Sequence, residues 1–274
     1  MSASTRTGVL GPAVLVSFAV ITVLPILGVV LLSLQPEQAQ LTGFAWPDRL
    51  HLENYGRAFD AAHFGGYLAS SLIVSIAVAA GTVVVSTLAG YAFGTMRFAG
   101  ENVLFYVLLA GLVIPFEAVI VPLYVELRAG RLTNTYWSVI LPLIGTNCAF
   151  GTFWMRATFR SVPRQLKEAA ATDGAGWLRI LWQVLLPAAR PALLTLVILV
   201  FMWSWNEFLL PLVMLSREDL RTAPLGLAFF TGRYTPARVG MAAAAVMVAL
   251  PVVVLFIATH RRFVQGMWAG ALKQ

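Results

Sequence analysis

Acidic and amide side chains stand inside two otherwise apolar stretches of this 274-residue sequence. Glu117 follows Pro115 by two residues, and Asn206 and Glu207 directly follow Trp205. Polar groups of this kind are costly within a membrane and mark function or pair with one another. Two interpretations stay open. Glu117, Trp205, Asn206 and Glu207 line a path that offers hydrogen bonds and an aromatic face to a polyhydroxylated solute, or Asn206 and Glu207 hold their helix to a neighbour through an interhelical hydrogen bond.

The sequence has no pattern for nucleotide, metal or nucleophile chemistry. A phosphate-binding P-loop needs Gly-Lys followed by Ser or Thr, but Lys167 and Lys273 are the only lysines and each follows a leucine. The HExxH, CxxC and GxSxG patterns are absent. A single cysteine, Cys148, excludes an internal disulfide and a cysteine-based metal site. We therefore expect no cofactor, no metal and no enzymatic activity in this chain.

The composition is that of an integral membrane protein. Hydrophobic residues make up 59% of the sequence and charged residues 11%, whereas a soluble domain carries about 25% charged residues. The mean hydropathy is +0.81. A spanning helix takes about 20 apolar residues, so the chain has room for about six spans with short loops. The net charge of +7 then reflects membrane topology, because no basic cluster interleaved with aromatic residues indicates nucleic-acid binding.

The apolar runs predict an all-α membrane protein with six transmembrane helices in a single domain over residues 1–274. The predicted spans are 9–34, 67–94, 102–124, 136–155, 192–215 and 239–259. The first run is too long for the apolar part of a signal peptide, so we expect it to remain in the protein. The second is rich in small and β-branched residues, which favours close helix packing in lipid.

The loop 156–191, between the predicted fourth and fifth spans, concentrates basic charge. Its basic residues are Arg156, Arg160, Arg164, Lys167, Arg179 and Arg190. Because lysine and arginine are enriched in cytoplasmic loops, this loop is predicted to face the cytoplasm. With six spans, the N-terminus and the C-terminus are then predicted to be cytoplasmic as well.

The same loop has the pattern of a helix, a turn and a second helix. Good helix formers from Arg164 to Ala171 precede Asp173-Gly174-Ala175-Gly176, where two glycines indicate a turn or a helix C-cap. An apolar stripe with helical spacing follows, formed by Trp177, Ile180, Leu181, Val184 and Leu185. We expect Leu186-Pro187 and Pro191 to end this amphipathic helix. Composition alone leaves two interpretations, a solvated loop that meets anionic lipid and a docking surface for another protein.

The spacing within this loop resembles the EAA loop in the permease subunits of bacterial ABC importers. The matching residues are Glu168-Ala169-Ala170, Gly174, Val184 in place of the family's isoleucine, and Leu186-Pro187. Other stretches resemble the second permease of maltose-type transporters, in the carbohydrate uptake branch. They include Glu53-Asn54-Tyr55, Gly90-Tyr91-Ala92-Phe93, Asn134-Thr135-Tyr136-Trp137 and Trp205-Asn206-Glu207-Phe208. The resemblance covers nearly the whole chain, although Gln274 stands where the family has glycine.

The resemblance implies the type I permease fold of ABC importers, with loop 156–191 as a cytoplasmic coupling helix that drives uptake of a carbohydrate. Glu168 would form an ion pair with a separate ATP-binding subunit, Ala169 and Ala170 would permit close approach, and Gly174 would allow a tight turn. Leu186-Pro187 would complete the coupling motif. The implied partners are a second permease in a heterodimer, two ATP-binding subunits that hold ATP and Mg²⁺, an extracytoplasmic solute-binding protein, a sugar and membrane lipid. The implied location is the bacterial cytoplasmic (inner) membrane.

Three alternatives remain beside the carbohydrate importer. The first is that the chain belongs to an importer for a non-sugar solute. The second is that it is a self-sufficient secondary transporter, and the third is that it is a membrane assembly factor that transports nothing. A secondary transporter favours several buried carboxylates or two matching halves with broken helices, and this sequence shows two intramembrane acids and no matching halves. Only the loop motif argues against the interpretation of the chain as an assembly factor.

Overall fold

The structure is a computed structural model that describes residues 7–37, 44–60, 63–233 and 238–271. Every regular element in these ranges is helical. The helices are α1 (Thr7–Ser33), α2 (Glu53–Asp60), α3 (Phe64–Thr95), α4 (Glu101–Ala110), α5 (Phe116–Ala129), α6 (Trp137–Ser161), α7 (Arg164–Thr172), α8 (Trp177–Ile180), α9 (Leu186–Trp205), α10 (Leu209–Met214), α11 (Ala223–Arg233) and α12 (Arg238–Ala271). A π-helical turn, Leu181–Leu185, joins α8 to α9.

Five helices in the described ranges are long and apolar enough to cross a membrane. They are Gly11–Ser33, Phe64–Thr95, Trp137–Ser161, Trp177–Trp205 and Arg238–Thr259. These helices overlap the predicted first, second, fourth, fifth and sixth spans. The predicted third span, 102–124, is instead divided between α4, with 10 residues, and α5, with 14 residues. Pro115 precedes α5 in an extended conformation, and it lacks the N–H that a continuous helix would use there.

The structure corrects the expected end of the amphipathic helix. Leu186-Pro187 and Pro191 do not end it, because one continuous helix runs from Trp177 to Trp205 and includes most of the predicted fifth span. The π turn Leu181–Leu185 lies immediately before Pro187. A π turn widens the helix locally, and it therefore accommodates a residue that has no N–H and whose ring crowds the preceding turn.

The chain divides into two compact units. One unit comprises residues up to Gly65 together with Gly226–Pro251, and the other comprises Gly66–Leu225 together with the chain from Val252 onward. The single transmembrane domain over 1–274 stays a prediction.

In the first unit, Asn54 of α2 satisfies backbone groups at the end of α1. Its Nδ2 donates hydrogen bonds to the carbonyl oxygens of Ser33, at 2.9 Å, and Gln35, at 2.8 Å. The hydroxyl groups of Ser33 and Tyr55 lie 2.6 Å apart and share a hydrogen bond. The last carbonyls of a helix have no partners within the helix, so the buried Asn54 side chain supplies them.

In the second unit, α3, α6 and the helix Trp177–Trp205 enclose a common core. Its fully buried members include Val74, Val78, Val139, Met155, Phe159, Leu181, Leu185, Leu196 and Val200. The backbones of α3 and α6 approach closely at Gly90, where an added Cβ would lie 2.5 Å from Met155 Cβ and 2.9 Å from the Arg156 nitrogen. Small residues at such contacts permit the close helix packing that is typical of membrane proteins.

Candidate functional site

The helix α7 carries Glu168 and has no buried residue. Its sequence, RQLKEAAAT, consists largely of alanine and straight-chain residues, which have high helix propensity. Glu168 and Ala169 are exposed, and Ala170 is half-buried. The three residues of the predicted coupling motif therefore lie on a helix that the rest of the chain leaves accessible.

A tight turn at Gly174 ends α7. Gly174 has a φ of +80°, a left-handed conformation that glycine adopts without the steric cost of a Cβ. The Ala175 N–H donates to the Ala170 carbonyl at 2.9 Å, and the Gly174 N–H donates to the Ala171 carbonyl at 3.0 Å. This pair of bonds is the Schellman motif that commonly closes a helix. The geometry agrees with the tight turn expected at Gly174.

The predicted apolar stripe after this turn has one exposed end and one buried end. Leu181 and Leu185 are fully buried in the core, whereas Trp177 is 56% exposed. Leu178 and, on α7, Leu166 are also about half exposed. Exposed apolar side chains that gather on one surface mark an interaction site when they form a patch. Of the last two motif residues, Leu186 is half-buried against the core and Pro187 is exposed.

Two hydrogen bonds attach the helix Trp177–Trp205 to the other core helices. The Tyr91 hydroxyl of α3 donates to the Trp177 carbonyl at 3.0 Å. The Trp154 indole of α6 donates to the Ala192 carbonyl at 3.0 Å. The exposed residues of the loop are therefore joined to the core by a helix that is held at two points.

Two of the loop's basic side chains form contacts within the chain itself. Arg156 Nε donates to the Phe93 carbonyl at 3.1 Å, and its guanidinium lies 3.7 Å from the centre of the Phe105 ring. Arg160 forms an ion pair with Glu101 at 3.3 Å. These contacts tie the end of α6 to the end of α3 and to α4. The interpretation of the loop as a segment that only meets lipid therefore does not account for all six basic residues.

Two further basic residues of the loop, Arg164 and Lys167, border an open groove beside α7. The groove has a volume of about 620 Å³, and its lining includes Arg97, Arg164, Lys167 and Glu168. Partial burial and the neighbouring Arg164 lower the pKa of Lys167, and Glu168 opposes that shift. Glu168 is therefore an acid within a predominantly basic surface, which is an arrangement that favours a mixed-charge partner.

A second cavity lies where α9 ends and α10 begins. It has a volume of about 430 Å³ and is lined by Phe116, Glu117, Leu143, Thr146, Asn147, Trp203, Ser204, Glu207, Phe208 and Leu209. Glu207 lies in the break between the two helices, where its Oε1 accepts a hydrogen bond from the Leu210 N–H at 3.0 Å. Glu117 lies in the first turn of α5. The structure thus brings the two acids that were predicted to lie within the membrane to one cavity.

The other two residues predicted for the path lie outside the cavity lining. Trp205 is buried and stacks on Phe201, with ring centres 5.7 Å apart. Asn206 is exposed and donates from Nδ2 to the Met202 carbonyl at 2.8 Å, at the end of its own helix. Glu207 likewise bonds within its own segment. These contacts are local, unlike the interhelical bond that the second interpretation requires.

Several polar or aromatic residues of the cavity were not predicted to line the path, among them Asn147, Ser204 and Trp203. Asn147 lies in α6, where its Nδ2 donates to the Leu143 carbonyl at 2.7 Å. Ser204 is 5% exposed, and its hydroxyl has no hydrogen-bond partner within the described structure. Trp203 packs edge-on against Phe150 and is 44% exposed. The asparagine inside an apolar span was a visible signal, whereas serine and tryptophan are too common in such helices to stand out.

An all-helical membrane protein with an accessible helix–turn segment and a polar cavity has the features of a transport component. Residues 86–268 match the family of binding-protein-dependent transport system inner membrane components. The chain belongs to this family, so the importer resemblance inferred from the Glu168–Pro187 motif is confirmed.

Individual relatives extend over nearly the whole chain. The diacetylchitobiose uptake system permease protein NgcG of Streptomyces coelicolor is 31% identical over 99% of this chain and 91% of its own length. The arabinooligosaccharides transport system permease protein AraQ of Halalkalibacterium halodurans is 34% identical over 93% of this chain and 92% of its own length.

Solved structures confirm the predicted fold. A chain of a bacterial ABC transporter involved in the import of the acidic polysaccharide alginate superposes with a TM-score of 0.83 and 24% identity, and the match covers 96% of this chain and 99% of that one. A chain of the bacterial alginate ABC transporter in complex with a pentasaccharide-bound periplasmic protein gives a TM-score of 0.68 at 15% identity, and the match covers 94% of each chain. The fold is that of an ABC importer permease.

Proposed function

We propose that this chain is a permease subunit that moves a carbohydrate across the bacterial cytoplasmic membrane, powered by ATP hydrolysis in a separate subunit. The observation that carries the proposal is the accessible α7 with Glu168 and Ala169 exposed. A helix with small residues beside one acid suits a groove on another protein. The relatives that transport diacetylchitobiose and arabinooligosaccharides support a sugar as the solute.

In this proposal, α7 and the turn at Gly174 form the coupling helix. Glu168 forms an ion pair with a basic residue of the ATP-binding subunit, which binds ATP and Mg²⁺. Ala169 and Ala170 permit close approach of that subunit, and the exposed Trp177 and its apolar neighbours become covered. A second permease, two ATP-binding subunits and a solute-binding protein complete the transporter; the periplasmic protein in the related alginate complex supports the last of these partners.

The proposal also orients the chain in the membrane. The loop, the N-terminus and the C-terminus face the cytoplasm, because the ATP-binding subunits lie there. Cysteine labelling tests this arrangement, since the native Cys148 is buried. A Gln165→Cys variant should react with an impermeant maleimide in inverted vesicles and be protected in intact cells. Labelling in intact cells would reverse the proposed orientation.

The central experiment is co-purification of this chain from its native membranes, with bound proteins identified and ATPase activity measured. Loss of one partner from a buried charge pair costs about 2–5 kcal/mol, so Glu168→Lys should lose at least most of the associated ATPase. Glu126→Lys is the matched control, because Glu126 is also an exposed acid but lies on α5, outside the loop. This control should retain the ATPase.

Two outcomes would contradict the proposal. Normal ATPase association and full uptake in Glu168→Lys would remove the coupling role from α7. Absence of any ATPase from the wild-type preparation, in nanodiscs as well as in mild detergent, would favour the self-sufficient secondary transporter, and the dependence of uptake on proton or sodium gradients would then be measured.

A further inference from the structure

The cavity bordered by Glu117 and Glu207 has an uneven charge. Two of its lining residues are acids, and none of the described lining residues is lysine, arginine or histidine. The ion pairs that the described residues form include neither acid. Glu207 accepts a hydrogen bond only from a neutral backbone N–H among the contacts above, so its charge is not compensated by a neighbouring cation. The cavity is therefore rich in hydrogen-bond acceptors and electrostatically negative.

The wall of the cavity also includes a buried serine. Ser204 is 5% exposed, borders the cavity, and has no hydrogen-bond partner within the described structure. Glu117 lies on α5, far along the chain from Ser204 and Glu207, so the polar groups converge through the tertiary fold.

The cavity also offers aromatic surface. Trp203 is 44% exposed and Phe208 is 39% exposed, and both border the cavity. Large aromatic side chains provide rigid apolar faces with little loss of conformational entropy on binding. A solute with an apolar ring face and several hydroxyl groups at its edge matches this combination of aromatic rings and acceptors.

We propose that this cavity is a substrate subsite that accepts neutral and amine-bearing sugars and rejects acidic sugars. The inference rests on the proposed function and adds the charge class of the solute. Carboxylates accept hydrogen bonds from hydroxyl groups and form stronger, charge-assisted bonds with an ammonium group. A sugar carboxylate would instead meet two like charges, which disfavour its ionised form. The acidic substrate of the structurally similar alginate importer is thus not expected for this chain.

The test measures binding to the purified complex of this chain with its co-purifying subunits in nanodiscs, by isothermal titration at low salt. The probes are three disaccharides that share one skeleton: cellobiose, its diamino analogue chitobiose, and its acidic analogue cellobiouronic acid. We expect cellobiose to bind at least about tenfold more tightly than the acid, a difference of about 1.4 kcal/mol. Chitobiose should bind the most tightly of the three.

The variant Glu117→Gln/Glu207→Gln retains side-chain size and hydrogen bonding but removes both charges. It should bring the three affinities to within about threefold of one another, a difference of about 0.7 kcal/mol. The control Glu126→Gln removes an exposed acid from α5, outside the cavity, and should preserve the wild-type order. ATPase association is measured on the same preparations, so loss of the ATPase is scored against the proposed function and not against the subsite.

With the ATPase bound, three results would overturn the subsite. They are equal affinity of the wild-type complex for the neutral and acidic disaccharides, absence of binding by all three, and an unchanged order of affinities in the double variant. Weaker binding of chitobiose than of cellobiose would also contradict the role assigned to the two carboxylates.

Discussion

Replacing Gly174 with alanine tests the turn that ends α7. Gly174 has a φ of +80°, and an added Cβ would meet nothing within 4 Å. Steric contact with neighbouring residues therefore plays no part, and the effect of the substitution comes only from the backbone conformation. An L-residue in the left-handed region costs about 1–2 kcal/mol. Valine should cost more, because β-branched residues are genuine outliers at positive φ.

The strain should appear as local opening of the turn. The Ala175 N–H is held by the Ala170 carbonyl at 2.9 Å, so its hydrogen exchange reports whether the turn is closed. A cost of 1–2 kcal/mol changes an equilibrium about 5- to 30-fold, and exchange at Ala175 should accelerate by that factor in Gly174→Ala. The affinity for the ATP-binding subunit should fall by at most the same factor.

The matched control is Gly176→Ala in the same turn. Gly176 has a φ of −67°, and an added Cβ there would also meet nothing within 4 Å. The two variants share the same chemical change in an equally open setting and differ in the sign of φ. Equal acceleration of exchange in both variants would refute the argument from backbone strain. No acceleration in Gly174→Ala would show that the turn does not need glycine.

Two further substitutions test how the helices are held. Asn54→Ala removes two hydrogen bonds to the Ser33 and Gln35 carbonyls and should lower the free energy of unfolding by about 2–3 kcal/mol. Thermal unfolding in detergent measures this loss. Because aspartate cannot donate these hydrogen bonds, Asn54→Asp should also be destabilised, and a stability equal to that of the wild type would contradict the prediction. Gly90→Val forces a side chain into the backbone of α6 and should cost about 1–3 kcal/mol or more. Gly66→Val on the same helix meets nothing within 4 Å, and an equal loss of thermal stability in both valine variants would exclude overpacking as the cause.

Long apolar runs made most of the fold predictable. A run of about 20 apolar residues has few stable alternatives to a spanning helix, and five such helices overlap the predicted spans, although Trp177–Trp205 begins and ends earlier than the predicted fifth span. The region of the predicted third span is divided between α4 and α5, and hydropathy does not register the interruption before Pro115. The end of the amphipathic helix was mispredicted at Pro187 because proline is a strong stop signal, and a π turn is not visible in the residue pattern.

The accessible loop was more predictable than the cavity. The glycine at position 174 and the helix formers before it are local signals, and the turn depends on local geometry. The cavity depends on which faces of several helices meet. Trp203 and Trp205 are two residues apart and so point about 200° apart around a helix; one borders the cavity and the other lies in the core. Hydropathy alone cannot distinguish these two faces in a helix that is apolar all round.

The length of the continuous helix Trp177–Trp205 determines how far the cavity moves when the helix tilts at the accessible loop. Its 29 residues span about 43 Å at 1.5 Å per residue, with Trp177 beside the accessible loop and Trp203 at the cavity. If the loop end is the pivot, a tilt of about 5° displaces the cavity end by about 4 Å. A small rotation imposed at the loop therefore produces a displacement at the cavity end of the helix that is comparable to the hydrogen-bonding reach of a sugar hydroxyl group.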